Sequence, residues 1–214
     1  MVTLYLDLDG VVKILHGSEA RHGSKLWAYD KTLVSRVQRL VLAAEVEHVV
    51  ISSSLRYQQS VPEFRQELEA LGFHELAARI VRTTPTALER VPAILDDAQT
   101  HKPEAWVVLD DYRLDLPKGN QVLTSSQHGI TDRDAVTAIG YVFAQLHWER
   151  PALDLARIEA KALSAYGIAF DDVPLVRCAF YARAITETQQ GLDTRESAYE
   201  AFKSTWTGAG LDRK

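Results

Sequence analysis

Leu4-Tyr5-Leu6-Asp7-Leu8-Asp9-Gly10-Val11-Val12 is the stretch from which the rest of the chain is read. The apolar run from Val2 to Leu6 has the composition of a strand buried on both faces, which implies a parallel sheet covered by helices. It ends in two carboxylates one residue apart, then a glycine. In open α/β sheets a ligand sits beyond the carboxyl ends of the strands, so Asp7 and Asp9 project into the crevice while Gly10 turns the backbone sharply. A plain Asp-Gly turn at a strand end is the alternative, and this stretch alone does not separate the two.

Two later strands end in matching chemistry. Val49-Val50-Ile51 runs into Ser52-Ser53-Ser54-Leu55-Arg56, and Trp106-Val107-Val108-Leu109 runs into Asp110-Asp111. One edge of the sheet therefore receives an Asp pair, a hydroxyl cluster and a second Asp pair. A purely structural account needs three coincidences.

Taken in order, strands and helices alternate, as in a parallel sheet covered on both faces. Lys13 to Tyr29 is polar and glycine-bearing, a loop or flap near the site. Helical spacing of Leu33, Val34, Val37, Leu40 and Val41 predicts a helix over 30–44, followed by a strand over 47–52. Ser60 and Glu63 have capping-box spacing ahead of a helix that stops at Gly72. A short strand falls at 79–81, a helix at 91–100 and strands at 105–110 and 121–124. Thr131 and Asp134 open a last helix carrying Val136, Ile139, Phe143 and Leu146. Beyond Pro151 the pattern becomes helical only, with three amphipathic segments stopped by Gly167, Gly191 and Gly208. The expected organisation is an α/β domain over 1–149 and an all-helical appendage over 150–214, whose apolar faces pack on the first domain or on a second copy as a homodimer.

Composition narrows the function classes. Among the 214 residues, 46% are apolar and 25% charged, and the net charge is -5, which disfavours a broad electrostatic footprint for nucleic acid. Cys178 is the only cysteine, so no internal disulfide framework exists, and its apolar neighbours suggest an inert thiol. With a strand beginning at Val2 no signal peptide is expected, and no apolar run reaches the roughly 18 residues of a membrane span. The expected location is cytoplasmic, with no membrane contact.

Asp7-Leu8-Asp9-Gly10-Val11, Ser52 and Asp110-Asp111 resemble three motifs of the haloacid dehalogenase (HAD) superfamily of phosphohydrolases. Val-Ile-Ser-Ser-Ser-Leu-Arg (50–56), Trp-Val-Val-Leu-Asp-Asp (106–111) and Gly129-Ile130-Thr131 narrow the resemblance to the HAD-like domains of Swiss Army knife RNA repair proteins, over about residues 2–148. Leu55 stands where that group usually has Trp. The resemblance implies a Rossmann-like HAD fold, with a five-stranded parallel sheet in the order 3-2-1-4-5. It implies Asp7 as the nucleophile that forms an aspartyl-phosphate and Asp9 as the general acid and base. Ser52, Ser53 and the following amides would hold phosphoryl oxygens. The metal, Mg²⁺, would sit on Asp7, the Asp9 backbone carbonyl and Asp111, with Asp110 contributing through water or orienting the shell. Attack by a carboxylate on phosphorus needs such screening, because both partners are negative.

The family also places a lysine or arginine near the nucleophile. Arg90, at the start of the helix before the fourth strand, is preferred for this role over Lys102 at that helix's end. Arg56 and Lys118 are candidates for contacts at the substrate rim. Two function classes follow: a Mg²⁺-dependent phosphatase, on a nucleic-acid end or on a small metabolite with the C-terminal helices as lid, or a non-catalytic binding module that keeps the fold. Retention of both Asp7 and Asp9 favours the enzyme.

Overall fold

The chain folds in the order β1 (Val2–Leu6), β2 (Lys13–Leu15), β3 (Trp27–Tyr29), α1 (Lys31–Ala43), β4 (His48–Ile51), α2 (Val61–Ala70), α3 (His74–Arg79), β5 (Ile80–Thr83), α4 (Arg90–His101), β6 (Ala105–Asp110), β7 (Gln121–Leu123) and α5 (Asp132–Leu146). A computed structural model describes residues 1–15, 27–117, 119–146, 164, 165 and 167. The expected helices beyond 150, together with Lys118 and Cys178, lie outside them, apart from 164, 165 and 167; the Ala165 carbonyl accepts from Arg39 at 2.9 Å.

The main sheet has five strands in the order β5-β4-β1-β6-β7, every pairing parallel. In strand order along the chain this is 3-2-1-4-5. Alternation along the strands sends side chains to opposite faces. Leu4, Leu6, Val49, Ile51, Val107 and Leu109 join one large core with residues of α1, α2, α3 and α5, while Tyr5, Val50, Trp106 and Val108 join Ile94 of α4 on the other side. Both faces are thus covered, which explains why the central strands read as continuous apolar runs.

Local signals set the element ends. Asp30 caps α1 by accepting from the N–H groups of Thr32 and Leu33, and Glu63 accepts from both the N–H and the hydroxyl of Ser60. Thr131 and Asp134 make the same reciprocal arrangement before α5. No described helix is long and apolar enough to cross a membrane.

Two elements differ from the sequence reading. The stretch over 13–29 is not a plain loop: its ends pair as an antiparallel ribbon, Lys13 opposite Tyr29 and Leu15 opposite Trp27. Three-residue strands are too short for alternation to reveal them. Helix α3 occupies the space between α2 and β5 where no element was expected, because its cap position is Phe73, which offers no side-chain acceptor.

The smaller face of the sheet contains a buried charge network. Arg82 of β5 donates to both carboxylate oxygens of Asp97 at 2.7 and 2.8 Å, and the Tyr5 hydroxyl donates to the same carboxylate at 2.8 Å. Burial, then the Asp97 charge, push the Tyr5 phenol pKa up, so it remains a donor. This network ties α4 to the two strands that flank β4. Every bond of the network goes to Asp97, so its removal takes this partner from both Arg82 and Tyr5, a loss of about 3–5 kcal/mol for buried pairs. Asp97→Ala should therefore lower unfolding stability by about 3 kcal/mol or more in urea titrations. A loss below about 1 kcal/mol would contradict a structural role for the network.

Candidate active site

Asp7 is the first residue past β1, and its N–H still bonds to the Leu109 carbonyl at 3.0 Å. Its carboxylate is buried. One oxygen accepts from the Leu8 N–H at 2.8 Å, which turns the side chain back over the strand end. The chain then folds into a single turn: the Leu8 carbonyl accepts from Val11, Val12 and Lys13, and the Gly10 N–H reaches the Lys13 carbonyl at 2.8 Å. Gly10 adopts φ +77, and a Cβ there would collide with the Asp111 carboxylate. Glycine is required both for the conformation and for the close approach of the acid.

Beside β1, β6 delivers Asp110 and Asp111. Asp110 is fully buried; one oxygen accepts from the Tyr112 N–H at 2.8 Å and the other from Arg90 at 2.7 Å. The same Arg90 nitrogen donates to Asp7 at 2.9 Å. Oxygens of Asp7, Asp110 and Asp111 all lie within 4.8 Å of one another. Such an all-oxygen donor set suits a hard divalent cation. The Asp9 carboxylate is not part of that group. One of its oxygens is buried without a hydrogen-bond partner among the described residues.

The electrostatics follow from this crowding. Burial and then the neighbouring Asp7 charge raise the Asp110 pKa to about 6, against the pull of Arg90 and the Tyr112 N–H. Asp9 and Asp111 are also pushed up, first by burial and next by Asp7. Lys13 and Arg90 draw Asp9 partly back. A raised Asp9 favours its protonated form, the form a general acid must have.

On the opposite flank of β1, β4 ends at Ile51 and is followed by Ser52, whose hydroxyl is buried and without a hydrogen-bond partner among the described residues. Ser53 is also buried, but its hydroxyl accepts from the Leu55 N–H at 3.4 Å and so caps its own turn. Arg56, expected at the rim, is interior. It donates to the carbonyls of Ser52, Ser53 and Leu88 and to the Tyr57 hydroxyl, so four acceptors draw the guanidinium in. Arg90 and Lys102 occupy opposite ends of the 12-residue α4, about 18 Å apart along the helix axis. Only Arg90 meets the carboxylates; Lys102 takes φ 45 and closes the helix with its N–H.

Sequence reasoning overlooked two groups here. The Thr124 hydroxyl donates to the Gly10 carbonyl at 3.0 Å, pinning the turn from the β7 side. Lys13 is buried beside Asp9, with its ammonium 4.2 Å from the Tyr29 ring centroid. A basic residue four places after Asp9 was the available signal, but it read as the start of a polar flap.

The family described as the HAD domain in Swiss Army Knife RNA repair proteins matches residues 3–135. No curated protein and no solved structure matches the chain.

Gly10 and Gly72 separate the two demands on a glycine, since Gly72 has φ +93 but open space around it. Either change to alanine forces a left-handed residue, at about 1–2 kcal/mol. Gly10→Ala should cost about 1–3 kcal/mol more than Gly72→Ala in thermal unfolding, because it also displaces Asp111. Equal losses would mean that the Gly10 turn and Asp111 are not in close contact.

Proposed function

Since this chain belongs to the family of HAD domains found in Swiss Army Knife RNA repair proteins, we propose that it is a Mg²⁺-dependent phosphomonoesterase working through an aspartyl-phosphate on Asp7. One observation carries the reading: a single Arg90 nitrogen donates to both Asp7 and Asp110. A cation placed there orients the Asp7 carboxylate and offsets the charge that accumulates when a phosphate arrives. Asp7, Asp110 and Asp111 would hold the metal, which supplies further charge neutralisation for the phosphoryl group.

The steps fall to named side chains. An Asp7 oxygen forms a bond to phosphorus as the ester P–O bond breaks, and the leaving oxygen takes the proton from Asp9. Water then attacks the same phosphorus, giving its proton to Asp9, and the Asp7–phosphate bond breaks to release inorganic phosphate and the free carboxylate. The Ser52 hydroxyl, without a partner among the described residues, is a donor for a phosphoryl oxygen throughout.

The substrate we propose is the phosphate of a nucleic-acid end. The RNA repair description of the family supports this. So do two short connections: 84–89 between β5 and α4, and 16–26 between β2 and β3, are each far below the roughly 40 residues that sustain a core and so hold no cap domain. Neither connection stands in the way of a phosphate on a large molecule.

Phosphate release from 3′- and 5′-phosphorylated oligonucleotides, with sugar phosphates for comparison, tests the proposal. Activity should require Mg²⁺ and vanish with a chelator. Asp7→Asn should lower kcat by about four orders of magnitude with the fold retained by circular dichroism, and Asp9→Asn by about 10²–10⁴. Near-normal turnover by Asp7→Asn would refute the covalent route. Preference for a sugar phosphate, with no action on any strand end, would refute the substrate class.

A further inference from the structure

Tyr57 closes the 3-10 turn Ser54–Tyr57 that follows Ser52, and it is 55% exposed. An exposed tyrosine ordinarily keeps its rotamer freedom, but this one is held at two points. Its hydroxyl accepts from Arg56 at 2.7 Å and donates to the Leu88 carbonyl at 3.3 Å. The Arg56 guanidinium also lies over its ring, 4.3 Å from the centroid. Because Arg56 is buried, one face of the ring rests on a fixed cation and the exposure belongs to the rest of the ring.

The position is as informative as the pose. Arg56 bonds the Ser52 and Ser53 carbonyls on one side and the Leu88 carbonyl on the other, and Leu88 precedes by two residues the Arg90 that meets Asp7. Tyr57 is therefore clamped to both segments that form the phosphate end of the site. A ring held on one side by a buried cation and exposed on the other is a preformed surface for a planar group, and the turn that carries it begins directly after Ser52 and Ser53.

We propose that the open face of Tyr57 is a stacking subsite for the nucleobase next to the scissile phosphate. The inference rests on the phosphomonoesterase reading above and deepens it by naming what the leaving group carries. Stacking accepts any base, since every base has a π face, and a ring fixed in advance loses little freedom on binding. The acidic chain also needs recognition that does not depend on many phosphate contacts, and one aromatic platform provides it. The base can belong to a strand end or to a free nucleotide, which share this chemistry. Tyr112 flanks the other side of β1 and is 70% exposed, but its described hydrogen bonds are made by its backbone.

The test compares kcat/KM on two strands that differ only in the phosphorylated terminal residue, one with its base and one abasic. A nucleoside monophosphate and a phosphotyrosine peptide complete the panel. Wild type should prefer the base-bearing strand by about tenfold or more. Tyr57→Ala should erase that ratio and Tyr57→Trp should preserve it. Dependence of the nucleotide on Tyr57 would identify the base alone as the ligand, and dependence of the strand only would identify a strand end; either supports the subsite. An unchanged ratio in Tyr57→Ala, equal loss on both strands, a fall in Tyr112→Ala instead, or preference for the phosphotyrosine peptide would overturn it. Fluorescence of a terminal 2-aminopurine reads stacking without turnover, with quenching expected from wild type and not from Tyr57→Ala. No hydrolysis of any phosphomonoester, with quenching intact, would remove the reaction while leaving the subsite. Hydrolysis without quenching would remove the subsite alone.

Discussion

Mutual repulsion among the carboxylates at the end of β1 and β6 is the constraint around which the structure is arranged. Oxygens of Asp7, Asp110 and Asp111 lie within 4.8 Å of one another, and two of the three acids are buried. At about 4 Å, two like charges repel by about 4 kcal/mol at the effective dielectric of a protein site. The Asp110 pKa, raised to about 6 by burial and by Asp7, records that crowding. Arg90 sits between Asp7 and Asp110 and relieves part of it. The remaining negative charge is what draws a divalent cation to such a place.

Arg90 can do this only if the first turn of α4 is held still, and two networks hold it. Asp97 lies two turns further along the same helix face and locks α4 to Arg82 and Tyr5. Arg56 secures the Leu88 carbonyl just ahead of the helix. The described hydrogen bonds of the Asp97 and Arg56 side chains go to groups other than the clustered carboxylates, yet both help determine where the cation stands. On the other side of the site, Gly10 and the Thr124 hydroxyl keep the Asp7–Asp9 turn against Asp111.

The sheet and most of the helices were legible in the sequence because the central strands are nearly continuous apolar runs and most helices begin with a recognisable cap. The strand-end acids were legible for the same reason: once the strands are placed, Asp7, Ser52 and Asp110 fall on one edge. Charges were harder to place. Arg90 and Lys102 stand at the two ends of one helix, and which end faces the site depends on the direction in which α4 returns to the sheet. Arg56 read as a solvated cation, because nothing local predicts that four acceptors from two separate loops will surround it. Lys13 and Tyr57 gained meaning only from contacts with Tyr29 and Leu88, which are distant in the chain.

Trapping the covalent state tests the central claim most directly. The protein would be mixed with a phosphorylated oligonucleotide in the presence of Mg²⁺, quenched during the first turnover, reduced with borohydride and mapped by peptide mass spectrometry. An aspartyl-phosphate is reduced to homoserine, so the account predicts homoserine at position 7 and unmodified aspartate at 9, 110 and 111. Substrate turnover in the same sample with no modification at position 7, or with modification at one of the other three, would contradict it.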